Sequence, residues 1–255
     1  MLAVTVKYTP ETGNLLIMNC KNCDYEVNLK YCPNCGQAAK LKRIDGHYIQ
    51  HEIEHVLHFE KGIFYTVKEL LIRPGQNVRE FISENRVRLV KPIIFIIISS
   101  LIYTVINHFF HLEDGYVKYD EAEKSTTGAI FRWVQNHYGY SNIIMGIFIA
   151  LWLKLFFKKY DYNFFEILIL LCFVMGIGML IFSVFAVVVG LTHFKIMQIG
   201  GIAGVVYCSW AVGQFFDKNK IASYLKSFSA YALGMITFSF ATLLLGFLVD
   251  LVLKH

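Results

Sequence analysis

Residues 18–36 read MNCKNCDYEVNLKYCPNCG. Four cysteines stand in two pairs, Cys20-Lys-Asn-Cys23 and Cys32-Pro-Asn-Cys35, and Gly36 follows the second pair. A two-residue spacer lets the backbone turn both sulfurs of a pair toward one ion. Four thiolates then supply the tetrahedral donor set of a closed structural zinc site. Pro33 presets φ inside the second turn, and Gly36 is free to take the left-handed conformation that closes it. The spacer, residues 24–31, is long enough for a short hairpin in which Tyr25, Val27 and Leu29 alternate with polar neighbours. Such a hairpin would fold the second knuckle onto the first, making residues 18–40 a zinc ribbon. Two disulfides, a redox pair and an iron–sulfur cluster are the other chemistries open to four cysteines.

Beyond residue 91 the character changes. The chain of 255 residues is 56% hydrophobic, with a mean hydropathy of +0.48, too apolar for a soluble domain. Five apolar runs cover residues 92–112, 140–157, 164–191, 196–216 and 228–253. A helix needs about 20 apolar residues to cross about 30 Å of hydrocarbon. The expectation is an α-helical integral membrane protein: a five-span bundle over 92–253, preceded by the ribbon and by amphipathic juxtamembrane helices. The third run exceeds a bilayer's need, so tilt or a bend near Gly176 and Gly178 is expected.

The formal net charge is +5, but the cations form no single patch, which argues against nucleic acid as a partner. Their distribution is that of loops on two sides of a bilayer. Residues 1–91 carry 13 Lys and Arg against 10 Asp and Glu, whereas residues 113–140 carry 3 against 5. Lys158, Lys159, Lys218, Lys220 and Lys226 fall in loops on the same side as the N terminus. This places the N terminus and the four thiols in the reducing cytosol and the C terminus outside. Lys195 and Lys254 run against the pattern.

Residues 1–17 lack the charged start, apolar stretch and cleavage site of a signal peptide. They read as a non-native extension, with translation beginning at Met18. After a basic linker, residues 44–60 have helical periodicity, with Ile49, Ile53, Val56 and Leu57 on one face. His47, His51, His55 and His58 share the opposite face and could hold a second metal or titrate near neutrality. The segment His51-Glu52-Ile53-Glu54-His55 also fits the zinc-protease pattern, with His51 and His55 as ligands and Glu52 as base. A third ligand would come from Glu80 or Glu84. A solvated polar helix face explains the same residues with no chemistry at all.

Residues 63–91 read as two short helices that break at Arg73-Pro74-Gly75. Leu70 and Leu71 lie on the first, and Val78, Phe81 and Ile82 on the second. Arg79, Arg86, Arg88 and Lys91 precede the first apolar run, as befits a cytosolic interfacial segment over 44–91 facing anionic lipid. Such a positive flank also simply fixes topology. The order CPNCG, then KGIFYTVKELLIRPGQNVREFI, then ENRVRLVKPIIF resembles an uncharacterised family of bacterial zinc-ribbon membrane proteins, domain of unknown function 3667. The T-x-K-x-L-x-x-x-P-G core is the most specific part, and the likeness covers residues 18–112. It implies a cytosolic ribbon followed by a multi-span domain in a bacterial inner membrane. It implies no activity.

Ionisable residues are sparse within the apolar runs. Lys154 and Glu166 lie at one depth and are expected to pair, while Asp250, His108 and His193 lie near the outer face. Cys172 and Cys208 read as small core residues, and Gly200-x-x-x-Gly204 as a site of close internal helix packing. There is no phosphate-binding glycine loop and no nucleophile elbow. The functional expectation is therefore a non-enzymatic docking, regulatory or sensing protein of the lipid bilayer. It would have a protein partner at the ribbon and the capacity to form a homo-oligomer. A channel or transporter gated by the cytosolic region, and a membrane metalloprotease, are the alternatives.

Overall fold

The apolar runs fold as helices whose ends fall close to where polar residues begin. The computed structural model describes residues 18–41, 44–46, 62–110, 128–130, 133–134, 138–194 and 196–253. Two short strands come first, β1 (Met18–Asn19) and β2 (Glu26–Val27). Two ten-residue helices follow, α1 (Ile63–Ile72) and α2 (Pro74–Ser83). Then come α3 (Pro92–Phe109), α4 (Tyr138–Phe156), α5 (Phe164–Thr192), α6 (Met197–Asp217) and α7 (Ile221–Leu253). Helices α2 and α3 both begin on a proline, whose missing N–H and fixed φ suit the first helical position.

Helix α5 is the centre of the bundle. Its 29 residues extend about 43 Å at ~1.5 Å per residue, well beyond a bilayer's hydrocarbon core. It packs against α3, α4 and α6, and it also meets α1 and α2. Helix α7 closes a ring by packing on α4 and α6. The apolar window of α5 is 67% buried and that of α7 only 17%, so α5 is core and α7 turns most of its surface outward. Side chains such as Ile236, Phe240 and Phe247 stand exposed there. An outward apolar helix of this length is stable only against lipid or another apolar surface.

Among the described residues, four helices are long and apolar enough to cross a membrane: α3, α5, α6 and α7. The expected second span is α4, whose apolar stretch, Tyr140–Phe156, is too short to be counted with those four. The last span begins at Ile221, seven residues before the expected 228. The reason is a tight turn at 217–220, where Lys220 pairs with Asp217 at 2.7 Å and the Lys220 carbonyl accepts from Ser223 N–H. Lys226 is thus helical rather than part of a loop.

The glycines expected to bend α5 make room for neighbours, and α5 runs unbroken from Phe164 to Thr192. A Cβ on Gly176 would stand 2.6 Å from the Phe95 ring of α3. On α6, Gly200 and Gly204 likewise seat Phe185 and Phe182 of α5. Lys154 and Glu166 both take backbone partners. Lys154 Nζ donates to Tyr162 O at 2.6 Å. Glu166 completes a capping box at the start of α5, accepting from Asn163 N–H while the Asn163 side chain accepts from Glu166 N–H.

Candidate metal centre

Each cysteine pair builds the same turn. The N–H of Asp24 donates to Cys20 O at 2.9 Å, and the N–H of Gly36 donates to Cys32 O at 2.9 Å. Cys20 N–H reaches Tyr25 O and Cys32 N–H reaches Gln37 O, closing both loops. In each knuckle the residue after the second cysteine is left-handed: Asp24 at φ 55° and Gly36 at φ 74°. Gly36 meets no steric penalty there. Asp24 is one of the few side chains that tolerate the conformation, a role its sequence position did not announce.

The spacer forms no hairpin of its own, contrary to expectation. Residues Glu26–Val27 turn back on Met18–Asn19 in antiparallel register, so the strand pair brackets the first knuckle. A Tyr31–Ala38 bridge brackets the second. Closing each knuckle on itself satisfies the backbone locally. The two knuckles then meet through Val27, which is buried with Cys20 and Cys32.

Together these turns point four sulfurs at one another, all within 4.8 Å. The closest pairs run between knuckles: Cys20 to Cys35 at 3.5 Å and Cys23 to Cys32 at 3.6 Å. Donors about 2.3 Å from a tetrahedral ion lie about 3.8 Å apart, so the cluster fits one metal, as a zinc ribbon requires. None of the cysteines is in a disulfide. Burial pushes the Cys20 thiol up to about 11. Burial acts the same way on Cys35, but hydrogen bonds from the Asn22 side chain and the Gln37 backbone outweigh it and hold Cys35 at about 6.

The ribbon is tied to the bundle by amide side chains. Asn22, beside the Cys35 sulfur, also accepts from Asn85 Nδ2 at 2.8 Å. Gln37 Nε2 donates to Glu84 O at 2.7 Å. Asn85 Oδ1 in turn accepts from the N–H groups of Val87 and Arg88, shaping the turn between α2 and α3. Ile44, fully buried in the core of the bundle, has its carbonyl held by Asn163 Nδ2 at 2.6 Å. No sequence motif pointed to Asn22, Gln37, Asn85 or Asn163. Each is an ordinary polar residue until its partner is known.

The basic segment is spent largely inside the protein. Arg88 bridges Glu69 and Glu80, both at 2.7 Å, and donates to Tyr65 Oη, clamping α1 to α2. Arg79 Nη1 donates to Gln214 O and Phe215 O at 2.6 Å, capping the last turn of α6. At the α1–α2 corner the buried Asn77 Nδ2 donates to both Glu69 O and Arg73 O. Gly75 lies so close to α6 that a Cβ there would stand 2.3 Å from the Gln214 carbonyl carbon. The Arg-Pro-Gly break is therefore a docking corner as well as a helix stop. Glu80, expected as a third protease ligand, belongs to this clamp, and Glu84 gives its carbonyl to Gln37. The histidine stripe His47, His51, His55 and His58, with Glu52, lies outside the described residues, as do residues 1–17.

Residues 60–104 match the profile of a family described as "Protein of unknown function (DUF3667)". The matched stretch is the α1–α2 corner, the Asn85 turn and most of α3. No curated protein and no solved structure matches the chain.

Proposed function

We propose that the chain is a five-span protein of a bacterial inner membrane. Its N-terminal zinc ribbon is a cytosolic docking or sensing head coupled to the spans. The observation that carries this reading is Asn22, which stands between the two cysteines of the first pair and accepts from Asn85 Nδ2 of the α2–α3 turn at 2.8 Å. Asn85 shapes the backbone leading to Arg88, Arg88 holds α1 to α2, and Arg79 holds α2 to α6. A change in the state of the sulfur cluster has a continuous polar route to the end of a span.

Zinc is the ion best suited to four thiolates at this spacing, with no position left for water. Bound there, it would add folding free energy to a head too small to be stable on its core alone. The orientation draws support from charge. The bundle end that meets the ribbon also bears Lys91, Lys158, Lys159, Lys218 and Lys220, the bias expected of a cytosolic face. Helix α4 supplies the fifth span. Tyr25, Leu29 and Tyr31 stand exposed on the ribbon and form the surface a partner protein would take.

The test is hydrogen exchange on the full-length protein in nanodiscs, with zinc measured in the same sample. Wild type is expected to hold one zinc per chain. In Cys20→Ser/Cys35→Ser, zinc should be lost and exchange over residues 84–91 should rise at least about tenfold. Unchanged exchange there after zinc loss would refute the coupling, and a normally folded wild type without zinc would refute the metal.

A further inference from the structure

Midway through the bundle lies a cavity of 170 Å³ to which all five apolar helices contribute. Its wall is unusual in sulfur. Four of the chain's seven methionines, Met145, Met175, Met179 and Met235, line it, together with Cys208. Tyr103 and Phe182 add an edge-to-face aromatic pair with centroids 6.2 Å apart.

Three fillers can be compared by size and chemistry. A soft metal would draw thioethers to bonding distance, about 2.3 Å, and close a space this large. Water claims about 30 Å³ per molecule in the liquid, so several would fit. Each needs two to four polar partners, and the methionine and phenyl part of the wall supplies none. An aromatic ring fits. An engineered apolar cavity of about 150 Å³ holds benzene, and methionine sulfur packs favourably against ring edges.

The wall is not wholly apolar: Asn142, Cys208 and the tyrosines Tyr103 and Tyr231 contribute polar atoms. Cys208 Sγ donates to Val174 O at 3.7 Å, and the side chains of Tyr231 and Asn142 line the cavity beside it. The Tyr231 hydroxyl oxygen has lone pairs that a ligand O–H can reach from the cavity.

We infer that this cavity is a binding site for a small aromatic molecule bearing a hydroxyl, with its ring among the methionines and its O–H on Tyr231. Full-length protein in nanodiscs would be probed by fluorine NMR linewidths of 4-fluorophenol and of 4-fluoroanisole, which lacks the donor. Partition into lipid is common to all samples, so differences against filled variants read the cavity alone. Val205→Phe fills it from α6. Met235→Trp fills it from its more exposed side, should the first variant not fold.

Wild type should bind the phenol at least about tenfold more tightly than the anisole. Tyr231→Phe should lose about that factor for the phenol and leave the anisole unchanged. Either filled variant that still unfolds cooperatively should bind neither. Equal binding of the two probes, or equal linewidths in wild type and a folded filled variant, would overturn the assignment. Displacement of the phenol by a lower concentration of 1-decanol would also overturn it, by giving the space to a lipid tail.

Discussion

Replacing Gly75 with alanine sets two effects of opposite sign against each other. Alanine is the better helix former, by roughly 0.5–1 kcal/mol. If the site had room, Gly75→Ala would therefore stabilise α2. But the added Cβ would lie 2.3 Å from Gln214 C and 2.5 Å from Phe215 N. Ordinary contact begins at 3.4 Å, so α2 would have to retreat by about 1 Å. The opposing atoms are helix backbone and cannot swing aside. Overpacking against yielding neighbours costs ~1–3 kcal/mol, and a rigid neighbour puts this site at the upper end. The net is a destabilisation of about 2 kcal/mol, or roughly a 30-fold rise in local opening. Hydrogen exchange at the amides of Val78, Phe81 and Ile82, all buried, reads it directly. Gly201→Ala is the control, because its nearest neighbour, Phe182 Cζ, is 3.8 Å away. It should be neutral or slightly stabilising. A Gly75→Ala protein as well protected as wild type would refute the close approach of α2 to α6, and with it the docking of the corner.

Asn77→Ala should cost about 1–2 kcal/mol, measured as thermal stability in detergent, because it removes two side-chain hydrogen bonds at a buried corner and leaves the Glu69 and Arg73 carbonyls only their backbone N–H partners. A loss below ~0.5 kcal/mol would mean that water reaches those groups. Gly36→Ala meets nothing within 4 Å, so its only penalty is the left-handed backbone, about 1 kcal/mol. Zinc affinity by chelator competition should fall about fivefold, and no fall would show that the second knuckle does not hold that conformation.

Local pattern carried much of the reading. The Cys20/Cys23 and Cys32/Cys35 spacing names a donor set because two residues are what a knuckle needs, and that geometry is settled within a few residues of chain. The apolar runs name their helices for the same reason, since period and length are properties of one segment. Pro74 and Gly75 likewise announced where α1 stops. None of this depends on what else the chain touches.

The remaining decisions were tertiary. That Arg79 caps α6, and that Arg88 ties two helices together when both seemed destined for lipid headgroups, depends on carbonyls and carboxylates brought close only by folding. So does the choice of Asn22 and Gln37 as the ribbon's anchors, since an amide's role is set by whichever partner lies within 3 Å. The methionine-lined cavity exists only where five helices fail to fill the space between them. A chain can write its ligands and its helices in local code because each is a short-range geometric demand. Which surfaces meet depends on residues far apart in sequence, and only the packed bundle resolves it.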